Sequence, residues 1–313
     1  MFRMTVHSRA ALPWLPLHSV HLGHRPPRPT LWAGIVTLHR QLPIGLQRKA
    51  AARQTDRAAR EEQLSTTDSP GEIRSERRGA VLLLTIAREH KRNALSREMV
   101  AHLVSLVTDA AADNSVVAVV LTGQGSQSFC AGADMNEQRE DPATSMTLPV
   151  VEAITRFPKP FIAAINGFAH GGGAWIASAC DLRFGSPGAE FRFPGASYGM
   201  AIGAAHLPRI VGSAFAREII FTAKRVSSEE ALRVGLLNGV FGSDALLAET
   251  LDLAGAVAVN SLPALMGSKA VIDATMPIEE ALALEAAVNS ELRSSVDTAS
   301  RFGRAASRVL GAG

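Results

Sequence analysis

Two short segments rich in glycine and alanine, each preceded by an apolar run, most constrain how this chain can fold. Residues 129–135 come after the β-branched run 116–121, and residues 166–173 come after the apolar run 161–165. A strand that ends in small residues leaves backbone N–H groups free, and glycine lets a ligand come close to them. Two such turns side by side can direct two N–H donors at one oxygen atom, which stabilises charge developing on a carbonyl. This pair of turns therefore predicts a site that binds a carbonyl oxygen.

The rest of the chain predicts an α/β region followed by a helical region that begins near residue 243. Residues 81–86 form a short apolar run that is typical of a buried strand. Ser96 is a candidate N-cap for a helix with an apolar stripe, and Ser227 with Glu230 has the spacing of a capping box. Further helical patterns occupy residues 245–259, 262–274 and 278–296.

Charge is distributed unevenly along the chain. The first 55 residues contain eight basic residues and no acidic ones, which leaves 24 basic and 29 acidic residues, a net charge of −5, in the remainder. A mildly acidic domain argues against binding to nucleic acid. The acid-free segment has the composition of a transit peptide without a sustained amphipathic pattern, and a start codon set too early would also produce it. We predict a disordered or non-native extension over residues 1–75 and a folded domain over residues 76–313.

Composition also limits the cellular setting and the possible ligands. No apolar run approaches the ~18 residues that a membrane span needs, and two cysteines are too few for a disulfide framework in a chain of 313 residues. A cytoplasmic protein without membrane contact is therefore expected. The glycine triplet 171–173 lacks the Lys-Ser/Thr pair of a phosphate-binding P-loop. No metal site is predicted, because the regularly spaced His18, His21 and His24 have no Cys, Asp or Glu nearby.

Five blocks of sequence occur in an order that is specific when they are taken together. They are residues 92–96 (RNALS), 130–134 (CAGAD), 171–181 (GGGAWIASACD), 207–212 (LPRIVG) and 231–237 (ALRVGLL). In these blocks the chain resembles the enoyl-CoA hydratase/isomerase (crotonase) superfamily, over roughly residues 76–306. The resemblance implies a crotonase-like (ClpP/crotonase) spiral of ββα units with a C-terminal helical region. It also implies a protein that binds acyl-CoA thioesters and polarises their carbonyl group.

The resemblance assigns roles to particular residues. The backbone N–H groups of Ala133 and Gly172 are expected to form the oxyanion hole. Ala94 and Ala131 are expected to contact the adenosine part of CoA through backbone atoms, with Arg92 near the phosphates. The resemblance further implies a CoA thioester as substrate or ligand, no separate cofactor, a place in fatty acid metabolism, and assembly as a homotrimer or homohexamer.

The catalytic positions of the family are occupied differently in this chain. Hydratases of the family carry one catalytic glutamate where this chain has Trp175 and a second where it has Gly195. Some relatives use an aspartate at a later position, which here is Gly203. An indole N–H donates hydrogen bonds but does not titrate, and glycine has no side chain. The usual acid and base are therefore missing from the sequence.

This combination predicts an acyl-CoA-binding member of the superfamily with unconventional or weak hydratase/isomerase chemistry. A positioned acid or base contributes about 10²- to 10⁴-fold to the rate of proton transfer. The alternative is a non-catalytic acyl-CoA binding or carrier protein that retains the fold and the thioester clamp. A serine protease of the related Clp fold is disfavoured, because the oxyanion turns lack a serine paired with a histidine.

Several other side chains near the motifs are candidates for a role in the site. His170, directly before the glycine triplet, and Tyr198, the only tyrosine, are candidates for proton transfer, although packing is expected for both. Asp134 is expected to make local hydrogen bonds, and Cys130 to be a small buried residue. Trp175 is expected to fill the acyl pocket and to set its depth.

Overall fold

The computed structural model describes residues 70–311. The predicted extension over residues 1–75 therefore lies almost entirely outside the described residues. The first strand begins at Glu72, so the predicted boundary at residue 76 falls inside a strand.

Strands and helices alternate through the first two thirds of the described residues. The strands are β1 (Glu72–Arg78), β2 (Val81–Ala87), β3 (Ala118–Gly123), β4 (Ser128–Cys130), β5 (Phe161–Ile165), β6 (Phe168–His170), β7 (Leu182–Gly185), β8 (Glu190–Arg192), β9 (Arg225–Ser227) and β10 (Gly239–Val240). The helices are α1 (Arg97–Ala112), α2 (Met135–Glu140), α3 (Leu148–Thr155), α4 (Gly172–Ala179), α5 (Leu207–Thr222), α6 (Ser228–Arg233), α7 (Leu246–Ala258), α8 (Leu262–Thr275), α9 (Glu279–Arg293) and α10 (Val296–Leu310). This order has the α/β region and the helical C-terminal region that the sequence predicts.

The larger sheet forms the centre of the fold. Its strand order is β1-β2-β3-β5-β7-β10, and every pair in it is parallel except β1 with β2. All residues of β3 and β5 are buried, as expected for parallel strands that are covered on both faces. These two strands are the apolar runs that precede the two Gly/Ala turns.

A smaller sheet carries those turns. Its strand order is β4-β6-β8-β9, and β4 runs parallel to β6 with Cys130 opposite Ala169. Because parallel strands end at the same edge of a sheet, the turns that follow β4 and β6 leave the sheet side by side. The sheet topology therefore brings together two segments that lie about forty residues apart.

Local capping fixes where several helices begin. The Ser96 hydroxyl accepts a hydrogen bond from the Met99 N–H at 3.2 Å, and Ser227 caps α6 by accepting from the Glu230 N–H at 3.3 Å. Both caps agree with the sequence prediction. Within residues 70–311, no single helix is long and apolar enough to cross a membrane, although α7 and α8, bent by 103° at their junction, meet that criterion as a pair.

Candidate active site

The turn after β4 is fixed by a short bridge to the segment before α1. The Leu95 N–H donates to the Gly132 carbonyl and the Asp134 N–H donates to the Leu95 carbonyl, both at 2.8 Å. These two bonds make an isolated parallel bridge between Leu95 and Ala133. In a parallel bridge the bonds come from the residues that flank Ala133, so its own N–H points away from Leu95. The Ala133 amide has no hydrogen-bond acceptor among the described residues.

The turn after β6 presents a second free amide. Gly172 is the first residue of α4, where an N–H has no partner within the helix. The two turns touch, because a Cβ atom built on Gly132 would lie only 2.8 Å from the Gly172 nitrogen. Gly132 also has a φ of +97°, which disfavours other residues. Ala133 and Gly172 are both half-buried.

The segment predicted to contact CoA packs directly against these turns. The Ala131 N–H donates to the Arg92 carbonyl at 3.1 Å, with the Arg92 side chain exposed and Ala94 buried beside it. Arg92 and Asn93 both have left-handed backbone angles, with φ values of 52° and 56°. The buried Asn93 side chain donates to the Ser128 carbonyl at 2.6 Å and so ties the segment to β4. Sequence reasoning missed Asn93, although asparagine is one of the few residues that adopt this backbone conformation readily.

Asp134 has the structural role that the sequence suggests. Its carboxylate caps α2 by accepting from the Asn136 N–H at 2.9 Å. It also accepts a hydrogen bond from the Arg88 guanidinium at 2.7 Å, and both side chains are largely buried. The resulting ion pair holds the N-terminus of α2 directly after the free Ala133 amide. Arg88 was not identified from the sequence, because the two partners are 46 residues apart.

Trp175, Gly195 and Gly203, which the sequence resemblance leads us to expect at the catalytic positions, carry no titratable group. The Trp175 side chain is 2% exposed, and its indole nitrogen has no hydrogen-bond partner among the described residues. A Cβ atom on Gly195 would lie 2.8 Å from the Met200 carbonyl oxygen, and Gly203 has a φ of +83°. The backbone at both glycines is therefore adapted to the absence of a side chain.

The loop that contains Gly203 is held by helix α9. The Glu285 carboxylate accepts hydrogen bonds from the Gly203 and Ala205 N–H groups, both at 2.7 Å. One turn further along α9, the Asn289 side chain accepts from the Ala201 N–H at 2.9 Å and donates to the Ala201 carbonyl. Burial raises the pKa of Glu285 to about 7, although the hydrogen bonds from the loop amides oppose this rise.

We expect the contribution of Glu285 to stability to decrease as the pH rises. Because its pKa is higher in the folded chain than the ordinary value of 4.5, folding favours the protonated carboxyl group. That contribution is complete below about pH 4.5 and is lost as the pH rises to about 7. The free energy of unfolding of the unmodified protein, minus that of Glu285→Gln, should fall across this range in urea titrations. Glu291→Gln, at an exposed position of the same helix, is the control, and a difference that stays flat or rises would contradict the assignment.

The side chains of His170 and Tyr198 contact residues outside the two turns. The His170 Nε2 atom lies 2.9 Å from the Glu190 carboxylate, which the Arg225 guanidinium also contacts at 3.2 Å. Burial lowers the pKa of His170, against the opposing effect of Glu190. Tyr198 packs edge to face on Phe302, with 6.4 Å between ring centroids. Within residues 70–311, no hydrogen bond joins His170 or Tyr198 to the Ala133 or Gly172 amides.

The remaining nucleophilic and metal-binding side chains are unreactive or dispersed. Burial raises the pKa of the Cys130 and Cys180 thiols to about 12, which leaves both protonated at neutral pH. His206 lies 3.0 Å from the Thr155 hydroxyl, and burial lowers its pKa to about 4, which fits a packing role. In the part of the chain that the structure describes, no group of three or more His, Cys, Asp or Glu could hold a metal ion.

The two free amides lie at the edge of a small sheet in which β4, β6 and β8 run parallel. The chain belongs to the enoyl-CoA hydratase/isomerase family, whose model matches residues 76–304. It is 35% identical over 233 residues to the short-chain-enoyl-CoA hydratase of Clostridium acetobutylicum, covering 71% of this chain and 89% of that protein. It is 34% identical over 224 residues to the crotonyl-CoA hydratase of Syntrophomonas wolfei, covering 67% and 85%.

The solved structures support the same assignment. The enoyl-CoA hydratase/isomerase of Pseudoalteromonas atlantica T6c superposes with a TM-score of 0.70 at 29% identity, covering 77% of this chain and 97% of that one. The predicted family and crotonase-like fold are thereby confirmed.

Proposed function

We propose that this protein binds acyl-CoA thioesters and polarises the thioester carbonyl between the Ala133 and Gly172 amides. Two unpaired amides in touching turns support this function most directly, because a carbonyl oxygen placed between them satisfies both donors. Gly172 also opens α4, so the positive end of that helix reinforces the charge stabilisation. Donors arranged in this way stabilise an oxyanion by a few kcal/mol each, about 3 kcal/mol for one well-studied donor.

The chemistry we propose is hydratase/isomerase-like but unconventional or weak. Hydration requires a base for the attacking water and an acid for the α-carbon. Trp175, Gly195 and Gly203 supply neither, and the cysteine thiols are protonated at neutral pH. Charge stabilisation by the two amides remains, which favours reactions or binding that need an activated carbonyl alone. No additional cofactor is needed for this role.

CoA itself would be held by the segment that packs against the first turn. The exposed Arg92 guanidinium is suited to the phosphates, and the backbone of Ala94 and Ala131 lies beside it. The left-handed conformation at Arg92 and the buried Asn93 side chain fix this segment before a ligand arrives. Such preorganisation lowers the entropy cost of binding.

A non-catalytic acyl-CoA carrier is the second candidate. It is favoured by the buried Trp175 side chain, which closes the position where the family places an acid or base. A panel of saturated and 2-enoyl-CoA thioesters, assayed for binding and for turnover in parallel, separates the two candidates. Binding with turnover of any member supports the enzyme, binding alone supports the carrier, and no binding rejects both.

The role of the Gly172 N–H can be tested with a matched pair of variants. A side chain at Gly172 would press on Thr147, whose Cγ2 atom lies 2.5 Å from the position of the added Cβ, so both variants are made in a Thr147→Gly background. In that background Gly172→Ala keeps the N–H group, whereas Gly172→Pro removes it. Proline is tolerated at the first helical position. We expect Gly172→Pro to bind thioesters at least about tenfold more weakly than Gly172→Ala. Equal affinities would contradict the oxyanion role.

We also propose that the protein assembles as a homotrimer or homohexamer. The C-terminal helices support this, because Val271, Ile272 and Leu284 are more than half exposed in the single chain. Sedimentation at micromolar protein concentration would distinguish these assemblies from a monomer.

A further inference from the structure

A cavity of about 150 Å³ lies between α2 and the two last helices. Its lining is largely apolar and includes Pro142, Met200 and Phe302. Helix α2 begins two residues after Ala133, so Gln138 at the cavity wall is about 8 Å along the chain from the free amide. The Met200 N–H donates to the Gly195 carbonyl, which places the opposite wall next to a former catalytic position. The cavity is therefore within reach of an acyl group whose carbonyl sits at the two amides.

The wall of this cavity is held in place by hydrogen bonds. The Gln138 side chain donates to the Asp141 and Thr144 carbonyls at 2.9 and 2.7 Å. Its oxygen accepts from the Met146 N–H at 3.2 Å. One buried side chain thus organises the whole loop that follows α2, from Asp141 to the residue before Thr147. These hydrogen bonds fix the shape of this wall of the cavity.

Two arginines line this apolar cavity, the half-buried Arg293 and the exposed Arg139. Arg293 donates one hydrogen bond to the Pro142 carbonyl at 3.1 Å, and Arg139 makes none within residues 70–311. Neither forms an ion pair in that part of the chain. Burial lowers the pKa of Arg293, and the charge of Asp141 opposes this shift. A half-buried guanidinium beside apolar surface is normally paired, because leaving it unpaired costs solvation energy.

The arginines of the last two helices differ in their pairing, and Arg304 on α10 donates only to the Ser300 hydroxyl within residues 70–311. Arg301 on α10 forms an ion pair with Asp297 at 2.7 Å. Glu279, at the start of α9, accepts from Arg156 at 3.2 Å. A planar guanidinium is the group best suited to bind a carboxylate with two parallel hydrogen bonds.

We propose that the cavity receives the far end of an acyl group that terminates in a carboxylate, and that Arg293 and Arg139 bind this carboxylate. The substrate class is then the mono-CoA thioester of a dicarboxylic acid. This specificity rests on the proposed function, since the thioester end must occupy the Ala133 and Gly172 amides. The apolar wall formed by Met200 and Phe302 would pack on the methylene groups between the two ends.

The test compares two ligands of equal length that differ only at the far end. Adipyl-CoA carries a terminal carboxylate where hexanoyl-CoA carries a methyl group, so the contribution of CoA cancels. Calorimetric titration of the full chain should show that adipyl-CoA binds at least about tenfold more tightly. Arg293→Met and Arg139→Met should each reduce this preference without weakening hexanoyl-CoA. Arg308→Met, at an exposed position of α10 outside the cavity, removes the same charge and should leave the preference unchanged.

Each outcome has a distinct meaning. Equal affinity for the two thioesters in the unmodified protein overturns the carboxylate specificity and leaves the proposed function standing. Failure to bind either thioester overturns both. A loss that affects both ligands equally in Arg293→Met and in Arg139→Met shows a structural role for the arginines and also overturns the specificity. Arg139→Met separates the two roles, because within residues 70–311 the Arg139 side chain makes no hydrogen bond whose loss could disturb the loop.

Discussion

Replacement of Gly173 by alanine is expected to abolish acyl-CoA binding and to destabilise the fold. A methyl group at this position would overlap the carbonyl oxygen of Cys130, which belongs to the end of β4. Backbone cannot move aside as a flexible side chain does, so the two turns must separate. We expect a loss of about 3 kcal/mol in the free energy of unfolding, at the upper end of overpacking effects. Thioester affinity should fall by more than the loss of folded protein accounts for. The reason is that the Ala133 and Gly172 N–H groups would no longer point at the same oxygen atom.

The matched control is Gly255→Ala in helix α7. Apart from its chain neighbours and the backbone of its own helix, no atom of the described residues lies within 4 Å of the Cβ position at Gly255. Alanine there should stabilise the protein by about 0.5–1 kcal/mol through its higher helix propensity. Urea unfolding and a thioester titration on both variants give the comparison. A Gly173→Ala protein with unchanged stability and affinity would show that the turns do not need their close contact.

The second large effect concerns hydration of crotonyl-CoA. We expect a rate at least about 10²-fold, and up to about 10⁴-fold, below that of the Clostridium acetobutylicum relative assayed in parallel, because we propose that Trp175 and Gly195 stand where hydratases of the family carry their carboxylates. The measurement is the loss of enoyl thioester absorbance at saturating substrate. A rate close to that of the relative would refute the prediction. The search for a proton-transfer group would then begin at His170 and Tyr198.

Trp175→Glu tests whether the proposed lack of a carboxylate at this position causes the slow hydration that we expect. We expect this variant to hydrate crotonyl-CoA faster than the unmodified protein, and Trp175→Gln, similar in size but not titratable, to show no gain. A matching Gly195→Glu change is less informative, because its Cβ atom would meet the Met200 carbonyl oxygen at 2.8 Å. Equal rates in the Glu and Gln variants would show that pocket shape, and not proton transfer, limits the reaction.

Local patterns in the sequence predicted most of the strands and helices. The apolar runs 81–86 and 161–165 correspond to β2 and β5, and the pattern 245–259 corresponds to α7 (Leu246–Ala258). The pattern 278–296 corresponds to α9 (Glu279–Arg293) but runs a few residues past its end, and the following helix α10 was not predicted. The break between the two helices falls at Ser294 and Ser295, where the Ser295 hydroxyl caps α10 by accepting from the Thr298 N–H at 3.1 Å. Short strands such as β6 were missed because three residues give no readable period.

The same distinction between local patterns and contacts of distant segments applies to the candidate site. The roles of the Ala133 and Gly172 amides were inferred from the family resemblance of their local blocks, and the structure places both residues in turns that touch. Contacts between distant segments could not be predicted, since nothing in the sequence near Gly203 indicates that Glu285, 82 residues further on, binds its amide. The unpaired arginines of the cavity, at positions 139 and 293, were missed for the same reason.

Hydrogen bonds from the loop at Gly203 to helix α9 have an evolutionary consequence. Glu285 and Asn289 determine where this loop lies, although they belong to a helix far from the oxyanion turns in sequence. The turns proposed to bind the carbonyl and the loop at Gly203 are therefore encoded in separate stretches of the chain. Substitutions in the last two helices can change which acyl groups are accepted while the carbonyl-binding turns stay intact. A lineage can in this way diversify its ligands without rebuilding its reactive centre.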